Sequence, residues 1–199
     1  MLAKRRSGAE SRRGQILEAA AECFSRSGFH GASMAEISKT AGMSVGHIYH
    51  YFENKDAIIA AIVAQEFDEI EQLFEELAKE RDILSAMVAR ADYGFHERVD
   101  GKTAALFLEI VAQAARNPVL AAQLEDNDRK LRRRIRDLVL KGRENAGAGP
   151  IPERQLEAEI QVIGSLFDGL SVRTIRNPEL DREAMLDVLR TTMRGLLHI

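Results

Sequence analysis

The sequence predicts an all-α protein. Three observations carry that expectation. Only 4 of the 199 residues are proline, so few positions forbid a helix. Alanine, leucine, glutamate and arginine, all good helix formers, recur throughout. Nowhere do β-branched and polar residues alternate over the roughly four to eight positions that mark a half-buried strand. The length suffices for one or two domains, each with its own core.

The helices follow in order. Residues 1–9 read as a basic arm, either one that touches phosphates or a minor groove, or a solvated tail. Residues 10–27 form the first helix, with an apolar stripe of Ile16, Leu17, Ala20 and Phe24. Gly28 ends it, and Phe29 packs back under the domain. Ser33 followed by Glu36 has the pattern of a capping box and starts a second helix. Ala35, Ile37 and Ala41 supply that helix's inner face. At Gly42 the chain reverses, where a residue without a Cβ accepts the left-handed conformation. Ser44 then caps a third helix, with Val45 and Ile48 turned inward. Gly46, His47, Tyr49, His50 and Tyr51 are left facing outward or sideways. Two short helices around such a turn make a helix-turn-helix, which seats its second helix in the DNA major groove. Ile16, Phe24, Phe29, Ile37, Ile48 and Phe52 are the expected core of this unit.

Asn54 caps a fourth helix to about residue 79, with Lys55 in its first turn, where the helix terminus attracts phosphate. Asp68, Glu69, Glu71, Glu75 and Glu76 give this helix a solvated acidic face. Helices over 82–99 and 102–116 break at Asp100-Gly101. Asn117-Pro118 is a stop, and Pro118 opens a helix to about Gly142. Its basic run of Arg129, Lys130, Arg132, Arg133, Arg134 and Arg136 reads as a solvated face paired with acidic helices, ahead of a second DNA surface. A linker spans residues 144–152. Two last helices, 153–175 and 181–197, flank Asn177-Pro178, for about nine in total.

Composition narrows the function. Net charge is −3, but it is unevenly spread. Residues 1–52 hold seven basic and four acidic side chains, a net of +3, whereas 53–82 hold three basic and ten acidic, a net of −7. Positive potential therefore gathers at one end, as phosphate contacts require. The lone cysteine, Cys23, excludes an internal disulfide and reads as a buried small hydrophobe in a reducing compartment. No signal peptide and no apolar run near the ~20 residues of a membrane span is present, so a cytoplasmic protein is expected. No phosphate loop, nucleophile motif or acid–base constellation supports catalysis, and no cofactor is expected. His47 and His50 lie three apart, but His30, His96 and His198 are scattered, and no further ligands stand nearby for a metal.

The residues Ser33, Ile37, Ala41-Gly42-Met43-Ser44, Gly46, Tyr49, Tyr51-Phe52 and Asn54-Lys55 resemble the TetR family of transcriptional regulators over about residues 10–57. Ser38 departs from the alanine usual there, and a serine is small enough to keep the helices close. The resemblance implies a helix-turn-helix domain over 1–53 and a larger ligand-binding and dimerisation domain over 54–199. It assigns Ser33, Tyr49 and Lys55 to the DNA backbone, with Ser44 a cap and phosphate donor. Gly46 allows close approach, His47 reads a base edge, Val45 or Tyr51 meets a thymine methyl, and His50 shares the exposed face.

By the same resemblance an effector pocket is lined by Met87, Phe95, Phe107, Ile110, Val111 and Phe167, with Tyr93, His96, Glu109 or Arg173 as polar anchors. A four-helix dimer interface would use Leu156, Ile160, Ile163, Phe167, Leu170, Met185, Leu189, Met193 and Leu196. The implied function is a homodimeric repressor on palindromic double-stranded DNA, released by a small hydrophobic or amphipathic effector. The alternative is a regulator without a small-molecule ligand, whose second domain only dimerises or docks a protein.

Overall fold

The computed structural model describes residues 8–199, with side chains from Arg12 onward, so residues 1–7 of the basic arm lie outside it. Among the described residues there are ten helices and no strand. They are α1 (Gly8–Gly31), α2 (Met34–Thr40), α3 (Val45–Tyr51), α4 (Lys55–Leu77), α5 (Ile83–Ala89), α6 (Ala91–Val99), α7 (Gly101–Ala114), α8 (Pro118–Asn145), α9 (Glu153–Arg176) and α10 (Arg182–Leu197). The stretch expected as one helix over 82–99 divides at Arg90, whose φ of −90° and ψ of 6° leave the helical region. The Arg90 guanidinium is held by Glu76 at 3.3 Å and Glu80 at 2.8 Å, which ties this corner to the end of α4.

The helix starts follow from side-chain caps. Ser33 accepts from the Glu36 N–H, Ser44 from His47, Asn54 from Ala57, and Asp181 from Ala184. Each satisfies one of the amides that a helix start leaves unpaired. The capping box at Ser33 is only half formed, because Glu36 turns to the Arg26 guanidinium at 2.5 Å instead. A charged donor holds a carboxylate better than one backbone amide does. Gly28 does not end α1. It kinks the helix at φ +71°, ψ 164°, and one further turn follows.

Two apolar clusters fill the molecule. The first joins α1, α2, α3 and the first half of α4, and Leu106, Ile110 and Leu120 enter it from α7 and α8. All six expected core residues belong to it, as does Cys23, whose sulfur lies 3.4 Å from the Thr40 hydroxyl. The second gathers Leu77, the inner sides of α5 and α6, and α8, α9 and α10. Helix α7 lies between, packed on α1 along one side and on α9 along another. No helix of the described residues is long and apolar enough to cross a membrane.

Candidate nucleic-acid interface and effector region

Helix α3 is seven residues long and buries one of them, Ile48, at 0% exposure. That anchor, with Phe52 just beyond, presses α3 onto the first core, and the turn at Gly42 sets its direction. Gly42 has φ +65° and open space around its missing Cβ, so backbone conformation alone selects glycine here. Ser44, Val45, Gly46, His47, Tyr49 and His50 are all exposed. Val45, expected inside, is 37% exposed, and Tyr49 is 52% exposed. A single inward residue per turn suffices for so short a helix, and Ile48 takes that place. Tyr51 is half-buried and lies between the two histidines, its ring 5.4 Å from each. It braces both imidazoles from the side and is less free to meet a base itself.

Ser33 and Ser44 are exposed, and their hydroxyl oxygens already accept from backbone amides. A hydroxyl proton remains for a phosphate oxygen. Lys55 is placed differently from expectation. Its ammonium donates to the Phe29 carbonyl at 2.5 Å and the Ala32 carbonyl at 2.6 Å, and sits 4.7 Å from the Phe29 ring centroid. Two of its three protons are thereby used inside the protein.

The ten side chains expected to line or anchor a pocket do not converge. Met87 and Phe95 are packed into the second core and Ile110 into the first. Tyr93, His96, Val111 and Arg173 are exposed. Phe167 packs onto α6, where a Cβ on Gly94 would stand 3.0 Å from its ring, and Phe107 lies under the Arg98 guanidinium at 3.9 Å. Glu109 is no anchor in this region, because its carboxylate accepts from the Phe29 N–H of α1. Periodicity marks which residues turn inward, and close packing then leaves no space beside most of them.

Two cavities lie elsewhere. One of about 260 Å³ is lined by Ser85, Val88, Ala89, Arg190 and Arg194, between α5 and α10. Another of about 280 Å³ is lined by Phe67, Glu71, Lys130, Arg133, Arg134 and Asp137, between α4 and α8. Most of the basic run on α8 is paired, through Glu125, Asp126 and Asp128 on α8 itself and Glu153 and Glu157 on α9.

A cluster not signalled by any motif joins α4, α6 and α9. Desolvation pushes the Glu66 carboxyl up to about 7, with Arg98 opposing and Glu69 and Glu97 adding to the rise. Desolvation likewise raises Glu97, Asp168 and Tyr93, and lowers Arg98. The Glu66 side chain is still reached by solvent. Arg98 bridges the cluster, 4.0 Å from Asp168. The sequence hid it because its members are spread over more than a hundred positions.

The outward sides of the last two helices also differ from expectation. Leu156, Ile160, Ile163, Leu170, Leu189 and Met193 are buried within the single chain, each at 8% exposure or less. Phe167, Met185 and Leu196 pack half-buried against the same core. These residues pack into the core of the single chain, three of them only half-buried. The free faces carry Val162 and Val172 on α9 and Val188 on α10, exposed by 47%, 41% and 66%. Gly169 and Gly195 lie beside them with open space around their Cβ positions.

Comparison with known proteins agrees with this architecture. Residues 16–62 match the family described as bacterial regulatory proteins, tetR family, and residues 94–198 match the C-terminal region of the BetI-type transcriptional repressors. The HTH-type transcriptional regulator UidR of Escherichia coli K12 is 36% identical over 138 residues, covering 67% of this chain and 69% of that protein. The structure of Salmonella enterica GusR superposes with a TM-score of 0.77 at 26% identity, covering 98% of this chain and all of that one. The regulator FadR of Bacillus subtilis, solved in complex with stearoyl-CoA, superposes at 0.74 with 19% identity over 90% of this chain and 96% of its own. With a helix-turn-helix at one end and a matching helical body behind it, the chain belongs to the TetR family of transcriptional regulators.

Proposed function

We propose that the chain is a homodimeric repressor acting in the cytoplasm, which binds a palindromic operator through α3 and releases it when a small molecule binds the helical body. Residues 1–53 form the DNA-binding unit and 54–199 the effector and dimer unit. The observation that carries the DNA contact is the face of α3, where Val45, Gly46, His47, Tyr49 and His50 are exposed beside one buried anchor. His47 reads a base edge, with Val45 against a thymine methyl. Ser33, Ser44 and Tyr49 touch phosphates, as does the remaining proton of Lys55, while Tyr51 braces His47 and His50.

Dimerisation uses the outward stripe of Ala184, Val188, Thr191 and Gly195 on α10 with Val162, Gly169 and Val172 on α9. Their small side chains let a second pair of helices come close. Two copies then set α3 into successive major grooves, about 34–36 Å apart. An effector enters beside the cluster of Glu66, Tyr93, Glu97 and Arg98, and favours a body conformation with a different α3 spacing. That the same fold holds stearoyl-CoA in B. subtilis FadR supports an amphipathic ligand.

One observation favours a second reading, in which the body only dimerises or docks a protein. Met87, Phe95 and Ile110 are fully packed, and neither cavity reaches them.

Selection of duplexes from a random-sequence pool tests the DNA reading. The purified protein enriches a two-fold symmetric site, and the logarithm of its affinity falls linearly with the logarithm of salt concentration. Failure to enrich any site above input would sink it.

A further inference from the structure

The backbone N–H and C=O of Phe29 are held by charged side chains of two different helices. Its N–H donates to Glu109 Oε2 of α7 at 2.9 Å, and its carbonyl accepts from Lys55 Nζ of α4 at 2.5 Å. The kink explains the first bond. At φ +71°, ψ 164° Gly28 turns the next amide away from the helical ladder, so Phe29 needs an acceptor elsewhere. Phe29 is only 4% exposed, which keeps water from serving. Glu109 supplies the acceptor from 80 positions away. A Cβ on Gly28 would stand 3.4 Å from Glu109 Oε1, so glycine both makes the break and leaves room for the carboxylate.

The location gives the bond its consequence. Phe29 begins the short turn that leads into Ser33, the cap of α2, and from there to α3. Leu106 and Ile110 of α7 also touch this unit through the first core, but apolar contact has no preferred direction. A hydrogen bond does. The Glu109 bond therefore fixes an angle that the apolar contacts leave free. Two residues earlier on α7, Phe107 carries the Arg98 guanidinium at 3.9 Å. One helix thus holds the end of α1, which leads into α2, at Glu109 and meets α6 at Phe107.

We propose that Glu109 is a positioning residue for operator binding: through the Phe29 N–H it sets the angle at which α2 and α3 leave the body, and hence the spacing of the two recognition helices in a dimer. This rests on the DNA-binding reading above.

The test takes the duplex that the parent protein enriches from the random pool, and variants of it with base pairs added or removed between half-sites, one at a time. Affinity for the enriched spacing divided by affinity for the altered spacings is the readout. Glu109→Ala removes the acceptor and Glu109→Asp shortens its reach while keeping the charge, so in both the ratio falls by about tenfold. Glu109→Gln keeps an acceptor oxygen at the same reach and keeps the ratio. A purely structural role lowers the melting temperature without moving it. If the alanine variant does not fold, the aspartate and glutamine variants carry the test.

An unchanged ratio in folded Glu109→Asp overturns the proposal, as does a glutamine variant that behaves like the aspartate. If the parent enriches no paired half-sites at all, the DNA-binding reading falls and this proposal with it. A spacing preference that survives in folded Glu109→Asp overturns only the role of Glu109.

Discussion

Two helix pairs in this molecule present a face to solvent, and they do so by opposite means. The α2–α3 pair buries little, with Ile37, Ser38 and Ile48 as its fully inward residues, and shows histidine, tyrosine and serine outside. The α9–α10 pair buries nine residues in its own chain and, among charged side chains, shows a stripe of valine, threonine, alanine and glycine outside. Polar, hydrogen-bonding side chains on a lightly anchored helix suit a hydrated, charged surface such as DNA. Small apolar side chains on a firmly anchored helix suit another helix, because they allow close approach and leave no unpaired polar group. The pair that makes the stronger core is the one whose outer face suits a second copy of the chain.

Adjacent residues on α10 give the sharpest way to break that comparison. Leu189 is 6% exposed and Val188 is 66% exposed. Leu189→Ala should cost about 2–5 kcal/mol, as buried leucine truncations do, and should show as a lower urea midpoint at unchanged m-value. Val188→Arg should leave the fold of each chain intact but place a charge in the proposed dimer contact, so light scattering should report a smaller particle for it than for the parent at equal concentration. A monomeric Leu189→Ala with full stability, or a dimeric Val188→Arg, would reverse the roles assigned to the two faces.

The same pair shows where sequence reasoning reaches and where it stops. Ser44, Gly42 and Ile48 were legible because capping, the left-handed turn and one inward residue act within a few positions. The all-α class, most helix boundaries and the six expected residues of the first core were legible for the same reason. Periodicity on α9 and α10 also found a real apolar stripe, at Leu156, Ile160, Leu189 and Met193. It cannot say what covers the stripe, and in the folded chain other helices of the same molecule do. The residues left on the outer face are individually unremarkable, small and only weakly apolar. Contacts across long sequence separations were invisible: Glu109 with Phe29, Lys55 turned to Phe29 and Ala32, and the cluster around Arg98. Each depends on the docking of α7 or α6, which no local pattern encodes.

On α3 the expected effect is smaller and of a different kind. His47 is exposed, so His47→Ala should leave stability within about 0.5 kcal/mol of the parent. Its loss should appear in DNA binding, about 1–3 kcal/mol at one base-pair position of the enriched site and little elsewhere. Competition with single-position variants of that duplex measures it. A uniform loss across all positions would move His47 from base reading to phosphate contact and would leave α3 with a weaker claim to sequence recognition than its geometry supports.

The smallest effect belongs to the cluster between α4, α6 and α9, which resembles neither face, being polar yet crowded. Glu66, with a folded-state value of about 7 against about 4.3 for an exposed glutamate, keeps its proton in the native chain where the unfolded chain has lost it. The folded state therefore binds more protons between those two values, and its stability falls as pH rises from about 4.3 to 7, then levels off. Glu69 on α4 and Glu97 on α6 reinforce the effect, whereas Arg98 on α6 opposes it. Glu66→Gln removes the titration and should stabilise the protein at pH 8 by about 1 kcal/mol, a modest figure because solvent reaches the side chain and screens it. The gain should vanish toward pH 4, where both forms are neutral in the folded state. Denaturation midpoints of the two proteins across this range decide the matter. Parallel profiles would mean that Glu66 is freely solvated, and the cluster would then be too open to hold an apolar effector away from water.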